Sequence, residues 1–150
     1  MKMFGTIHNK FLGYNLFATD GPAFFTSYNE IIVQEIYKFT ENINSSVIID
    51  CPANIGLATL YFKLYYPHAK LITYEPDPKI FAALKKNIAA FSLHDVELFN
   101  EAIGDEEAEL YFNMEAGHFG KLVNKATATR VAVKVTTLNN VLKNFERIDF

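Results

Sequence analysis

Two hydrophobic rhythms alternate along the chain. The first has steps of three and four. Ile31, Ile32, Ile36 and Phe39 fall on one stripe with Asn29, Glu30, Gln34 and Lys38 between them, which predicts an amphipathic helix. Ser27 is placed to cap it, with Glu30 three residues later as the reciprocal partner of a capping box. The second rhythm is a short continuous apolar run. Val47-Ile-Ile-Asp50 is β-branched and unalternated, as in a strand covered on both faces within a parallel sheet. After the turn Cys51–Gly56, a mostly buried helix is expected over Leu57–Tyr66, stopped by Pro67. Leu71–Glu75 reads as a second strand. Asp77-Pro78 then supplies an N-cap and a first helical residue. The helix so opened carries Phe81, Leu84, Ile88 and Phe91 on its apolar stripe, and Lys79, Lys85, Lys86 and Asn87 are expected to face water. Val96–Asn100 reads as a third strand.

Strand, helix, strand, helix, strand predicts right-handed crossovers and an α/β fold with a doubly wound, mainly parallel sheet. Residues 1–150 are read as one domain, with 1–45 an N-terminal cover segment and helix and 46–150 the core. The Phe- and Tyr-rich start, Met1–Phe25, is compatible with short strands or a hairpin. Beyond Asn100 the rhythm changes. Ala108–Phe112 and Val131–Thr136 look like antiparallel strands around a loop, Asn113–Thr129, that carries Gly117 and Gly120. A short helix is expected over Thr137–Phe145, and Ile148-Asp-Phe150 looks like the start of a fourth parallel strand.

Composition narrows the classes. Half of the 150 residues are apolar and 21% are charged, which excludes disorder as the overall state. Lys and Arg number 14 against 17 Asp and Glu, a net charge of −3, and the lysines are scattered, so no nucleic-acid partner is expected. No apolar run is long enough for a membrane span, and no membrane partner is expected. With one cysteine, Cys51, no internal disulfide can form, and a cytoplasmic location is expected. Cys51 itself reads as a small buried hydrophobe. His8, His68, His94 and His118 lack metal-ligand spacing, so no metal site is expected.

The chemistry concentrates at the strand ends. In an open α/β sheet, ligands bind beyond the carboxyl ends of the strands. Asp50 and Glu75 end two successive strands there. A carboxylate at the second strand can accept hydrogen bonds from both hydroxyls of a ribose. A glycine-bearing turn before a helix N-terminus favours close approach of a negative group. Spacing alone leaves alternatives open. Glu75 lies 19 residues after Gly56, as a dinucleotide fold would also place it, although Cys51-Pro-Ala-Asn-Ile-Gly56 is not GxGxxG. Asp50 and Glu75 are equally compatible with helix capping. Tyr14, Tyr28 and His118 are further residues that a substrate pocket could include.

As a set, five segments resemble the FkbM family of S-adenosylmethionine-dependent methyltransferases. Val47–Tyr61 is similar to that family's V-I-D-V-G-A-N-I-G-x-x-T-L-Y. Tyr28-Asn-Glu30 resembles its Y-E-x-E, and Tyr74–Pro78 its F-E-P-x-P. Phe99–Asp105 resembles N-x-A-L-x-D, and Thr136–Asn140 resembles T-T-L-D-D. The resemblance covers residues 28–150 in order. It implies a Rossmann-like class I methyltransferase fold, S-adenosyl-L-methionine as cofactor, and O-methylation of a small-molecule or sugar hydroxyl. By position it implies that Asp50, Ala53, Asn54 and Gly56 line the methionine pocket. Glu75 would bind the ribose, Pro76 and Asp77 would lie beside the adenine, and Asn100, Glu101 and Ala102 would form its other wall. No catalytic base is implied.

Two departures accompany the resemblance. Pro52 replaces the first motif glycine, which removes a backbone donor and forbids a positive φ at that position. Ile148-Asp149-Phe150 matches only the start of the family's I-D-x-E-G segment, so the sheet is expected to be incomplete at the C-terminus. An exposed sheet edge and homo-oligomerisation through it are expected in turn. The alternative reading is a truncated, non-catalytic nucleotide-binding-like domain.

Overall fold

The structure, a computed structural model, describes residues 7–11, 14–40, 46–113, 122–123 and 130–150. The chain opens with an antiparallel hairpin, β1 (Ile7–Phe11) and β2 (Tyr14–Ala18). The first helix, α1 (Gly21–Tyr28), continues into a π-helical turn, Asn29–Val33. This corrects the expected helix at both ends. It is capped not by Ser27 but by Asp20, whose carboxylate accepts the N–H of Ala23 at 2.8 Å, and Pro22 occupies the first turn. Asp-Gly-Pro is the stronger start: the carboxylate takes an orphan donor and the proline gives one up at no cost. The helix is over by Gln34, and Glu35 has a left-handed φ of 51°.

The expected strand–helix alternation follows. β3 (Val47–Asp50), α2 (Leu57–Tyr65), β4 (Lys70–Tyr74), α3 (Pro78–Ala90) and β5 (Val96–Phe99) build a parallel sheet in the order β3-β4-β5. Ile48 and Leu71 turn toward α2, where Leu60, Tyr61 and Phe62 are buried with Leu16, Phe24 and Ile31 of the N-terminal segment in one cluster. Val47, Ile49, Ile72 and Tyr74 face the other way, against Val141 and Phe145. The segment 148–150 lies on the free side of β3. The Asp149 N–H donates to Val47 O at 2.9 Å, and Phe150 O accepts the Ile49 N–H at 3.0 Å. The Phe150 ring stacks on Phe39 and contacts Tyr37 and Phe62.

After Asn100 the chain enters a second sheet. β6 (Glu101–Gly104), β7 (Ala108–Asn113), β8 (Leu122–Val123) and β9 (Arg130–Thr137) are arranged β6-β9-β7-β8, with β6 parallel to β9 and the other pairs antiparallel. The expected loop Asn113–Thr129 therefore begins on the last residue of β7 and holds a short strand, and its other residues lie outside the described ones. α4 (Leu138–Leu142) follows, with the Thr137 hydroxyl accepting the Asn140 N–H. Among the described residues, no helix is long and apolar enough to cross a membrane.

Candidate functional site

The turn 51–56 links β3 to α2 and forms the floor of the site. Its Cys51–Pro52 peptide is cis, and the left-handed conformations fall at Asn54 (φ 52°) and Gly56 (φ 87°). The positive φ that Pro52 cannot supply is thus provided two and four residues later. Gly56 is required on a second count, because a Cβ there would lie 2.5 Å from Leu84 Cδ1 on α3. Cys51, expected to be buried, is exposed: it is the first residue beyond β3, where the chain leaves the sheet. Partial desolvation, together with the Asp50 charge, nonetheless holds its thiol above its ordinary pKa. That is the opposite of a reactive thiolate.

Glu75 ties the turn to the next helix. It is 4% exposed, and its Oε2 accepts the Asn54 N–H at 2.9 Å while Oε1 accepts the Asp77 N–H at 2.7 Å. Burial pushes this carboxyl up to about 7, against the lowering effect of those two N–H bonds. Asp50 is also buried and accepts the Thr59 hydroxyl at 2.7 Å, and desolvation raises it to about 6. Asp77 performs its expected role as N-cap, accepting the N–H groups of Lys79 and Ile80. The Asn100 amide reaches across from the end of β5 to Glu75 O at 2.8 Å and Pro76 O at 3.1 Å.

A cleft of about 180 Å³ opens beside the turn. Asp50, Ala53 and Asn54, all singled out from sequence, line it, and so does Pro52. Its other wall comes from the N-terminal segment, through Asp20, Phe24, Ser27 and Tyr37, and sequence reasoning missed that wall. The signal available was the Asp-Gly-Pro cap, which fixes where α1 begins. Glu75, Pro76, Asp77 and Asn100 form a second, hydrogen-bonded group behind Asn54. Gly56 is buried under Leu84 and does not line the cleft. Two expected members lie apart from both groups. Glu101 is turned to Lys134 in a 2.9 Å ion pair, and Ala102 is buried with Val133 and Val135 in the core of the second sheet. Tyr28 packs on Phe24 rather than lining the cleft, and the side chains of Tyr14 and His118 lie outside the described residues.

Residues 50–150 match the methyltransferase FkbM domain family. Over 83 residues, or 55% of this chain, the sequence is 30% identical to Methyltransferase 1 of Beauveria bassiana, of which the match covers 33%. Over 62 residues, or 41% of this chain, it is 39% identical to Methyltransferase sdnD of Sordaria araneosa, of which 24% is covered. The matched stretches thus span about a third or less of these relatives. Among solved structures, PH0793 of Pyrococcus horikoshii is 21% identical with a TM-score of 0.48, covering 65% of this chain and 36% of that one. The family match takes in the cleft-lining turn, the Glu75 group and the second sheet alike, and the chain belongs to the FkbM methyltransferase family.

Proposed function

We propose that the site binds S-adenosyl-L-methionine and serves O-methylation of a small-molecule or sugar hydroxyl. The observation that carries the cofactor assignment is the placement of Glu75. Each of its oxygens accepts one backbone N–H, which leaves a lone pair on each for the two hydroxyls of a ribose. The cleft beside it has room for an amino-acid-sized group. The N-terminus of α2, at Leu57 and Ala58, forms the part of its lining suited to a carboxylate, and Asp50 the part suited to an ammonium. When bound, the cofactor supplies an electrophilic methyl group. The chain's own residues hold and orient it, and proximity contributes much of the rate in such a transfer. Scattered lysines and the net charge of −3 favour a small acceptor over nucleic acid.

Calorimetric titration with S-adenosylmethionine, S-adenosylhomocysteine and NAD tests the cofactor. Saturable binding of the first two in preference to NAD is expected, and equal or tighter binding of NAD overturns the assignment. Transfer of a labelled methyl group to a panel of hydroxylated small molecules and sugars tests the acceptor class. Label found on nitrogen or carbon atoms of these compounds, and not on their hydroxyl oxygens, removes it.

A further inference from the structure

Asn87 lies in the middle of α3, where the stripe pattern sends it to water, yet it is 0% exposed. A buried primary amide is costly unless its polar atoms are paired. Here they are. Nδ2 donates to Ile55 O at 2.7 Å and to Phe17 O at 3.0 Å, and Oδ1 accepts the Phe17 N–H at 2.7 Å. Both donors are used, and the two bonds to Phe17 engage β2 as a neighbouring strand would. One side chain therefore joins three segments: the helix begun by Asp77, the ligand-facing turn at Ile55, and the hairpin strand that leads into Thr19 and Asp20. The turn and the residues that follow the hairpin strand both line the cleft. Leu84, about one turn before Asn87 on α3, and Ile88, the next residue, pack under the same turn at Gly56.

We propose that Asn87 is a positioning residue that sets the distance between the two walls of the cleft, coupling the N-terminal hairpin to the cofactor-binding turn. The consequence for affinity rests on the cofactor reading above, whereas the coupling itself does not. Asn87→Asp keeps size and shape and still accepts the Phe17 N–H. It loses both donors and turns a carboxylate toward two carbonyl oxygens. Leu71→Ala, in the buried first half of β4 away from the strand's carboxyl end, is the control for lost stability alone.

The test combines thermal melts, calorimetric titration with S-adenosylhomocysteine, and amide hydrogen exchange of the full chain with and without that ligand. Asn87→Asp is expected to weaken binding at least tenfold and to speed exchange in segments 15–20 and 53–57 together. Leu71→Ala is expected to lower the melting temperature with affinity held within twofold. In the wild type, ligand should protect the Phe17 amide along with the turn. Affinity within twofold of wild type in Asn87→Asp overturns the proposal, as does faster exchange in only one of the two segments. Should Asn87→Asp not fold, the wild-type exchange decides: Phe17 and Gly56 amides opening with different denaturant dependence sink the coupling. Should the wild type bind no S-adenosylhomocysteine, the cofactor reading fails, and the unliganded exchange still judges the coupling.

Discussion

Glu75 and Asn54, 21 residues apart in the chain, meet in a 2.9 Å hydrogen bond from the Asn54 N–H to the Glu75 carboxylate. The bond holds a residue of left-handed φ in place at the edge of the cleft, and the other carboxylate oxygen performs the same service for the start of α3. The candidate ribose ligand is thereby also the clamp that shapes its own site.

Glu75 substitutions should therefore be read on two axes. Glu75→Ala leaves two backbone N–H groups without an acceptor and is expected to cost about 1–3 kcal/mol of stability. It is also expected to weaken S-adenosylhomocysteine by about 5- to 150-fold, the equivalent of about 1–3 kcal/mol. Denaturant melts and calorimetry on one preparation separate the two. Unchanged affinity at reduced stability would leave Glu75 as a clamp only.

Stability should fall as pH rises. Burial lifts Glu75 from 4.5 to about 7 and Asp50 from 3.8 to about 6 in the folded protein. Both folded values lie above the unfolded ones, so the native state holds these protons more tightly. The contribution is complete below the unfolded values and lost as pH rises through about 6 and then about 7. Urea midpoints should drop between about pH 5 and pH 8, by the equivalent of about 2–4 kcal/mol. A midpoint that rises over this range contradicts the assignment.

Cofactor affinity should run the other way. Ribose hydroxyls donate, so they favour the ionised Glu75, and binding should release a proton below about pH 7. Titrations in two buffers of different ionisation enthalpy measure that release. Proton uptake in place of release would exclude hydroxyl donation to this carboxylate.

The fit of Gly56 against Leu84 predicts a favourable coupling between the two positions. Gly56→Ala meets both the left-handed backbone penalty, about 1–2 kcal/mol, and an overpacking cost of about 1–3 kcal/mol. Leu84→Ala removes the obstructing methyl but leaves φ unchanged. The double variant should therefore be more stable than the sum of the singles implies. Strict additivity in a double-mutant cycle would mean that the turn shifts away from α3.

The parallel sheet was legible in the sequence because its strands are short, largely apolar runs, the first two of them closed by the acids Asp50 and Glu75, and Asp77-Pro78 announces α3 without ambiguity. Asp50, Ala53 and Asn54 reached the cleft for the same reason: the turn follows directly from the strand. The N-terminal wall was not legible. A three-four rhythm at Ile31–Phe39 outweighed the local chemistry of Asp20-Gly-Pro22, yet it is the cap that starts the helix. Asn87 was placed in water because a pattern of residue types records polarity and not the carbonyls of Ile55 and Phe17 waiting beyond it. β6 escaped notice because Asn100 breaks the strand rhythm at the point where the chain passes from one sheet to the other.

The docking of Asp149 on Val47 spans 102 positions of the chain, whereas β3 meets β4 through one intervening helix. Closing so long a loop must precede any gain from the contact, and loop-closure entropy grows with length. Kinetically, then, the two sides of β3 are unequal: β3, α2 and β4 can assemble early, and residues 148–150 join afterwards. Asp149→Ala removes the acceptor of the Val47 N–H and the partner of Arg147. It should accelerate unfolding while leaving the refolding rate nearly unchanged, the signature of a contact absent from the transition state.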